Sequence, residues 1–96
     1  MIIEWLPEAA ADRFDQVEYI AKDNPIAAIS QDEEIEKQVD ALAGTPPISG
    51  RIGRKPGTRE LVISHTSFIA VFRVKKNTIQ ILRLLHSSQL WPPVKK

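Results

Sequence analysis

Apolar residues fall along the chain in three rhythms. Ile2, Ile3, Trp5 and Leu6 form a short run that Pro7 stops, and β-branched and aromatic residues at that density predict a first strand. Pro7 then opens a helix in which Ala10, Phe14, Val17 and Ala21 recur at spacings of four, three and four. They share one helical face, while Glu8, Asp12, Asp15 and Glu18 are expected to face water. Asp23-Asn24-Pro25 breaks the pattern: Asn24 suits a cap, and Pro25 suits the first position of a second helix, where a backbone N–H would have no partner anyway. The second helix is predicted to run to about Ala43 on a seam of Ala28, Ile35, Val39 and Leu42, with Gly44 and Pro46-Pro47 as its stop. The two helices are expected to form an antiparallel hairpin.

From Thr45 to Thr58 the residues are Gly, Pro and basic side chains with no period, which predicts a loop of about 14 residues. Loops that long in a small domain are more often functional than idle. Three strand signals follow, Arg59 to Ser64, Phe68 to Lys75 and Thr78 to Leu85, separated by polar turns at His65-Thr66-Ser67 and Lys76-Asn77. The order predicts an α+β fold: an N-terminal strand, a helical hairpin, then a three-stranded antiparallel meander, with the hairpin covering one face of the sheet.

Pairing across Lys76-Asn77 puts Phe68, Ala70, Phe72, Val74, Ile79, Ile81, Arg83 and Leu85 on one face, and that set is expected to pack on the helices. Ile69, Val71, Arg73, Lys75, Gln80, Leu82, Leu84 and His86 then share the open face. Arg83 fits badly among apolar neighbours. Either its stem crosses the core edge to reach an acidic partner on the helices, or the register differs. Exposed Ile69, Val71, Leu82 and Leu84 would make the free protein self-associate until a partner covered them.

Composition narrows the function. The chain has 96 residues and 43% hydrophobic content, enough for one domain (residues 1–96) and one core. No apolar stretch approaches the roughly 20 residues that cross a bilayer, and Met1-Ile2-Ile3-Glu4-Trp5 has no signal-peptide character, so a cytoplasmic protein without membrane contact is expected. Without cysteine there is no disulfide framework, thiol nucleophile or Cys-type zinc site, and His65 and His86 alone build no metal site, so no metal or cofactor is expected.

The net charge of +1 conceals a division. Residues 1–48 carry three basic and eleven acidic side chains, net −8, while residues 49–96 carry ten basic side chains against Glu60 alone, net +9. A basic surface of that kind attracts phosphate backbones or an acidic protein segment. The plainer reading is that the two halves neutralise one another, which requires contact between them.

Several segments, in order, resemble the RelE/ParE superfamily of toxins from bacterial type II toxin–antitoxin operons. They begin with Trp5-Leu6-Pro7-Glu8-Ala9-Ala10 and Tyr19-Ile20-Ala21, followed by Asn24-Pro25 and Ala27-Ala28. Residues 50–62, Gly-Arg-Ile-Gly-Arg-Lys-Pro-Gly-Thr-Arg-Glu-Leu-Val, are similar to the family's glycine–arginine loop and the strand it enters. Ile81-Leu82-Arg83-Leu84-Leu85-His86, with Gln89, Trp91 and Pro92, is similar to its last strand and tail. The resemblance implies a growth-inhibiting toxin neutralised by a cognate antitoxin, with operon DNA reached only through their complex. Its target would be DNA gyrase in one branch, or the ribosome with messenger RNA in the other.

Metal-free RNA cleavage needs a proton acceptor, a proton donor and positive charge near the developing phosphorane. His86 and Arg73 are the candidates for those roles, with Glu60 as a further base. Relative to the ribonuclease branch, basic residues are missing where this chain has Glu60, Val62, Ser64 and Ile69. The Pro56-Gly57-Thr58-Arg59-Glu60 loop and the Leu84-Leu85-His86 ending are more similar to the gyrase-directed side, which requires no catalytic set. Arg51, Arg54, Lys55, Arg59, Arg73, Arg83 and Trp91 are the candidate contacts to a target or antitoxin, against the alternatives of surface ion pairing and tail packing.

Overall fold

The computed structural model describes residues 1–44, 50–89 and 91–92. They form β1 (Ile2–Trp5), α1 (Pro7–Asp23), α2 (Pro25–Asp40), a 3-10 turn (Ala41–Gly44), β2 (Arg51–Ile52), β3 (Arg59–Val62), β4 (Phe68–Lys75) and β5 (Thr78–His86). The five-stranded sheet has the order β1-β5-β4-β3-β2, with β1 parallel to β5 and the other neighbours antiparallel. The expected α+β architecture is present. One addition is β2, two residues of the glycine–arginine loop that pair with Arg59 and Glu60. The Pro46-Pro47 stop and the start of that loop lie outside the described residues. Among the described residues no helix is long and apolar enough to cross a membrane.

The two prolines act as their positions dictate, each starting a helix, and the Asn24 side chain accepts from the Ala27 N–H at 3.0 Å. In α2 the expected seam is the buried one: Ala28, Ile35, Val39 and, in the 3-10 turn, Leu42. The Gln38 amide both donates to and accepts from the Ser64 backbone, at 3.0 and 2.8 Å, and so ties α2 to the chain just beyond β3.

In α1 the expected face is rotated. Ala9 is buried and Val17 and Ile20 pack on the core, whereas Ala10 is exposed and Phe14 is 62% exposed. Phe14 instead lines a cavity of about 500 Å³ together with Trp5, Val17 and Arg13. The Arg13 guanidinium lies 5.0 Å from the Trp5 ring centroid and donates to Asp32 at 2.7 Å. The rotation has a polar cause: Asp12, expected in water, and Gln16 one turn later both turn toward β5. Asp12 accepts from the Leu84 N–H at 2.9 Å, and Gln16 donates to the Leu84 carbonyl at 3.2 Å. Strand β1 stops pairing at Ile81, so these side chains satisfy the β5 backbone where no strand lies beside it.

The sheet faces also need correcting. Phe72 pairs with Ile81 but Val71 pairs with Arg83, leaving Leu82 as the extra residue of a β-bulge. The bulge resets alternation, so Leu84 joins the core with Phe68, Ala70, Phe72, Ile79 and Ile81, while Arg83 leaves the core face. Sequence alternation assumes an unbroken ladder and could not register the inserted residue. The expected exposed patch is absent: the bulge carries Leu84 into the core, Ile69 and Val71 are buried on the opposite face, and Leu82 is half-buried. The physical basis for self-association through those residues disappears with it.

Candidate functional site

The basic loop folds over one carboxylate. Glu60 on β3 is 1% exposed, directly across from Arg51 on β2 and Val71 on β4. It accepts from Arg51 Nη2 at 3.1 Å, from the Arg54 backbone N–H at 2.9 Å and forms an ion pair with Arg54 Nε at 3.2 Å. Burial by itself would raise the Glu60 pKa; the Arg54 N–H bond, the Arg51 hydrogen bond and the two guanidinium charges outweigh it, and the net shift is downward. A carboxylate so saturated is a weak base, and its role is to hold the loop.

Backbone geometry completes that hold. Gly50 sits at φ 80°, and Gly53 donates to the Thr58 carbonyl at 2.8 Å. A Cβ at Gly53 would collide with the Thr58 hydroxyl and carbonyl. The Thr58 hydroxyl donates to the Lys55 carbonyl at 2.6 Å, closing the turn that presents Lys55, Pro56 and Gly57 to solvent.

The seven candidate contact residues separate into two sets. Arg51 and Arg54 are committed to Glu60, and Arg54 also donates to the Gln89 carbonyl at 3.2 Å, tethering the tail. Arg59 donates to the Gly50 carbonyl at 2.9 Å. Arg83 is held by Asp12 at 2.7 Å and by Glu8 at 3.9 Å; the Asp12 hydrogen bond raises its already high pKa. Of these contacts only those of Arg83 with Asp12 and Glu8 bridge the acidic and basic halves; the ion pairs of Glu60 lie within the basic half.

Lys55, Arg73 and Trp91 remain on the open side. The Lys55 ammonium lies 5.8 Å from the ring centroid of half-buried Trp91. Arg73 donates to neutral Gln80 at 2.7 Å, and Gln80 donates to Glu4 at 2.9 Å. Together with Leu6, Leu82 and Arg83 they line a groove of about 710 Å³. Glu8, Asp12, Gln16 and Gln80 were not among the sequence candidates, although Arg83's misfit in an apolar face did point to an acid on the helices.

His86 and Arg73 are not brought together. His86 pairs with Phe68 at one end of β4, edge-to-face at 6.1 Å, while Arg73 pairs with Gln80 near the other end. His86 Nδ1 contacts the Ser88 hydroxyl at 2.8 Å and accepts from the Ser88 N–H at 3.2 Å, which favours the tautomer protonated on Nε2 and places the ring at the base of the tail. His65 sits in the β3–β4 turn at φ 65°.

A helical hairpin on one sheet face, and on the other a basic loop locked around a buried acid beside an open groove, define a small α+β protein of the toxin-fold class. The chain belongs to the ParE toxin family of type II toxin–antitoxin systems, parDE, whose pattern matches residues 3–91. It is 41% identical over 93 residues to Y4kP, a candidate toxin of Sinorhizobium fredii, covering 96% of this chain and 94% of that protein. Among solved structures, a chain of the chromosomal ParDE toxin–antitoxin system from P. aeruginosa superposes with a TM-score of 0.80 at 33% identity, covering 90% of this chain and 95% of that one. Membership of a toxin–antitoxin family implies a cognate antitoxin as partner.

Proposed function

We propose that this chain arrests bacterial growth in the cytoplasm by binding DNA gyrase and stalling its cycle, as a protein–protein inhibitor with no chemistry of its own, until the antitoxin covers it. The observation that carries this reading is the separation of Arg73 from His86. Arg73 is five residues along β4 from Phe68, the partner of His86, or about 17 Å at the usual strand rise. Acid–base cleavage of RNA needs its proton-transfer and charge-stabilising groups around one phosphodiester. Glu60, the third candidate, is enclosed by two arginines. The similarity of Pro56-Gly57-Thr58-Arg59-Glu60 and Leu84-Leu85-His86 to the gyrase-directed branch supports the same target.

Inducible expression of the chain alone tests it. The expected result is growth arrest with a DNA-damage response and intact transcripts. Arrest with cut transcripts and no damage response would overturn the proposal and make the chain a ribosome-dependent ribonuclease.

A further inference from the structure

The helical hairpin carries more apolar surface than its own core takes up. Ala9, Val17 and Ile20 of α1 pack inward, but Phe14 stays 62% exposed, and Ile29 on α2 is 61% exposed. Phe14 and Val17 wall the cavity of about 500 Å³ that lies between α1, Trp5 of β1 and Asp32 of α2, and Glu18 adds a second carboxylate to its lining. Arg13, the cation among these residues, is already engaged, stacked 5.0 Å from the Trp5 centroid and paired with Asp32 at 2.7 Å. Ile29 and Glu36 are three positions before and four positions after Asp32, and Glu33 is four beyond Ile29, so all three flank it on one side of α2. Glu18, Glu33 and Glu36 are exposed and have no ion-pair partner among the described residues.

We propose that this cavity is where the toxin grips its target: a lysine- and arginine-rich surface of DNA gyrase sets one large apolar side chain between Trp5 and Phe14 and its cations on Glu18, Glu33 and Glu36. The inference rests on the gyrase reading and names the surface that performs it. Charge selects the occupant. Helices α1 and α2 together carry ten acidic and three basic side chains, net −7, so this face repels a nucleic acid or an acidic peptide. Two copies of the chain meeting through their hairpins would repel one another in the same way. An enzyme that handles DNA presents lysines and arginines to its phosphates, and such a surface is complementary to the carboxylates here. The apolar part supplies what charge alone does not. A cavity of about 500 Å³ has room for one large side chain, and an apolar anchor ringed by polar groups is the arrangement that carries most of the affinity at protein interfaces.

The test measures binding of the purified full chain to purified gyrase, with the cognate antitoxin as a second ligand. Glu18→Lys/Glu33→Lys should bind gyrase more than about tenfold more weakly and lose growth arrest at matched expression. Asp15→Lys/Asp23→Lys makes the same change in net charge at exposed α1 positions outside the cavity, and should stay within about threefold. Phe14→Ala removes the apolar wall and no charge, and should weaken gyrase binding at least about fivefold at low and high salt alike. Circular dichroism and thermal melts check that each variant is folded. Equal gyrase affinity for the cavity variants and the Asp15→Lys/Asp23→Lys control would overturn the cavity assignment and leave the gyrase reading standing. A wild-type chain that arrests growth without binding gyrase would overturn both. Antitoxin affinity lost in Glu18→Lys/Glu33→Lys, with gyrase affinity unchanged, would assign the cavity to the antitoxin instead. A wild-type dimer that Phe14→Ala dissolves, again with gyrase affinity unchanged, would assign it to a second copy of the chain.

Discussion

Asp12 on α1 and Arg83 on β5, 71 residues apart in sequence, meet at 2.7 Å where the last strand bulges. The same Asp12 carboxylate takes the Leu84 N–H, so one side chain fixes both the guanidinium and the backbone beyond the bulge. Removing it leaves a largely buried arginine and a strand N–H without their acceptor. Asp12→Ala should therefore cost about 2–3 kcal/mol in urea denaturation, whereas Glu8→Ala, at an exposed carboxylate 3.9 Å from Arg83, should cost less than about 0.5 kcal/mol. In the Asp12→Ala background, Arg83→Met should cost less than it does alone. Additive costs would mean that the pair does not hold the bulge.

Glu60 makes stability depend on pH with a definite sign. Its pKa is lowered in the folded chain from an ordinary 4.5, so the folded state binds its proton less readily than the unfolded state does. The contribution is present above about pH 4.5 and is lost as pH falls through the depressed folded value. Wild type should lose stability on acidification over that window more steeply than Glu60→Gln, which should itself be about 2 kcal/mol less stable at neutral pH. Parallel pH profiles of melting temperature for the two proteins would contradict this.

Gly53 allows the loop to close. With Thr58 against the place a Cβ would occupy, Gly53→Ala must open the Gly53–Thr58 contact and shift the Arg54 N–H away from Glu60. The expected result is a loss of about 1–3 kcal/mol and faster amide exchange at Arg54. Gly57→Ala meets no crowding, but its φ of 80° still carries a conformational cost of about 1 kcal/mol. Equal costs for the two substitutions would remove the steric argument.

Much of this architecture was legible in the residues, and the failures share one physical origin. Pro7, Asn24, Pro25 and the Ala28, Ile35, Val39 and Leu42 seam act locally, through backbone geometry and helical period, and each is where the pattern put it. The bulge at Leu82 and the rotation of α1 arise from Asp12 and Gln16 satisfying a strand edge far away in sequence, which no local period encodes. For the same reason the basic cluster read as one surface, although Arg51, Arg54 and Arg83 are committed to buried or half-buried acids and only a subset faces the groove.

The rotation of α1 can be checked by substitution. Ile35→Ala empties a fully buried position and should cost about 3 kcal/mol. Phe14→Ala, at a side chain that is 62% exposed, should cost less than about 1 kcal/mol despite removing more atoms. Urea denaturation of both variants reads the difference. Comparable losses would restore Phe14 to the buried face that simple periodicity assigns to it.

His86 separates the two modes of toxicity. Its exposed ring accepts from Ser88 through Nδ1, packs edge-on against Phe68 and stands about 17 Å of strand from Arg73, so its contacts organise the tail rather than a reacting phosphate. His86→Ala should leave growth arrest intact at matched expression, with a stability loss of about 1 kcal/mol from the edge-to-face contact. His86→Gln should behave the same way, because an amide can replace the hydrogen bonds but cannot carry a proton through a reaction. Loss of toxicity in both variants with stability preserved would identify His86 as an acid–base group and return the chain to the ribonuclease branch.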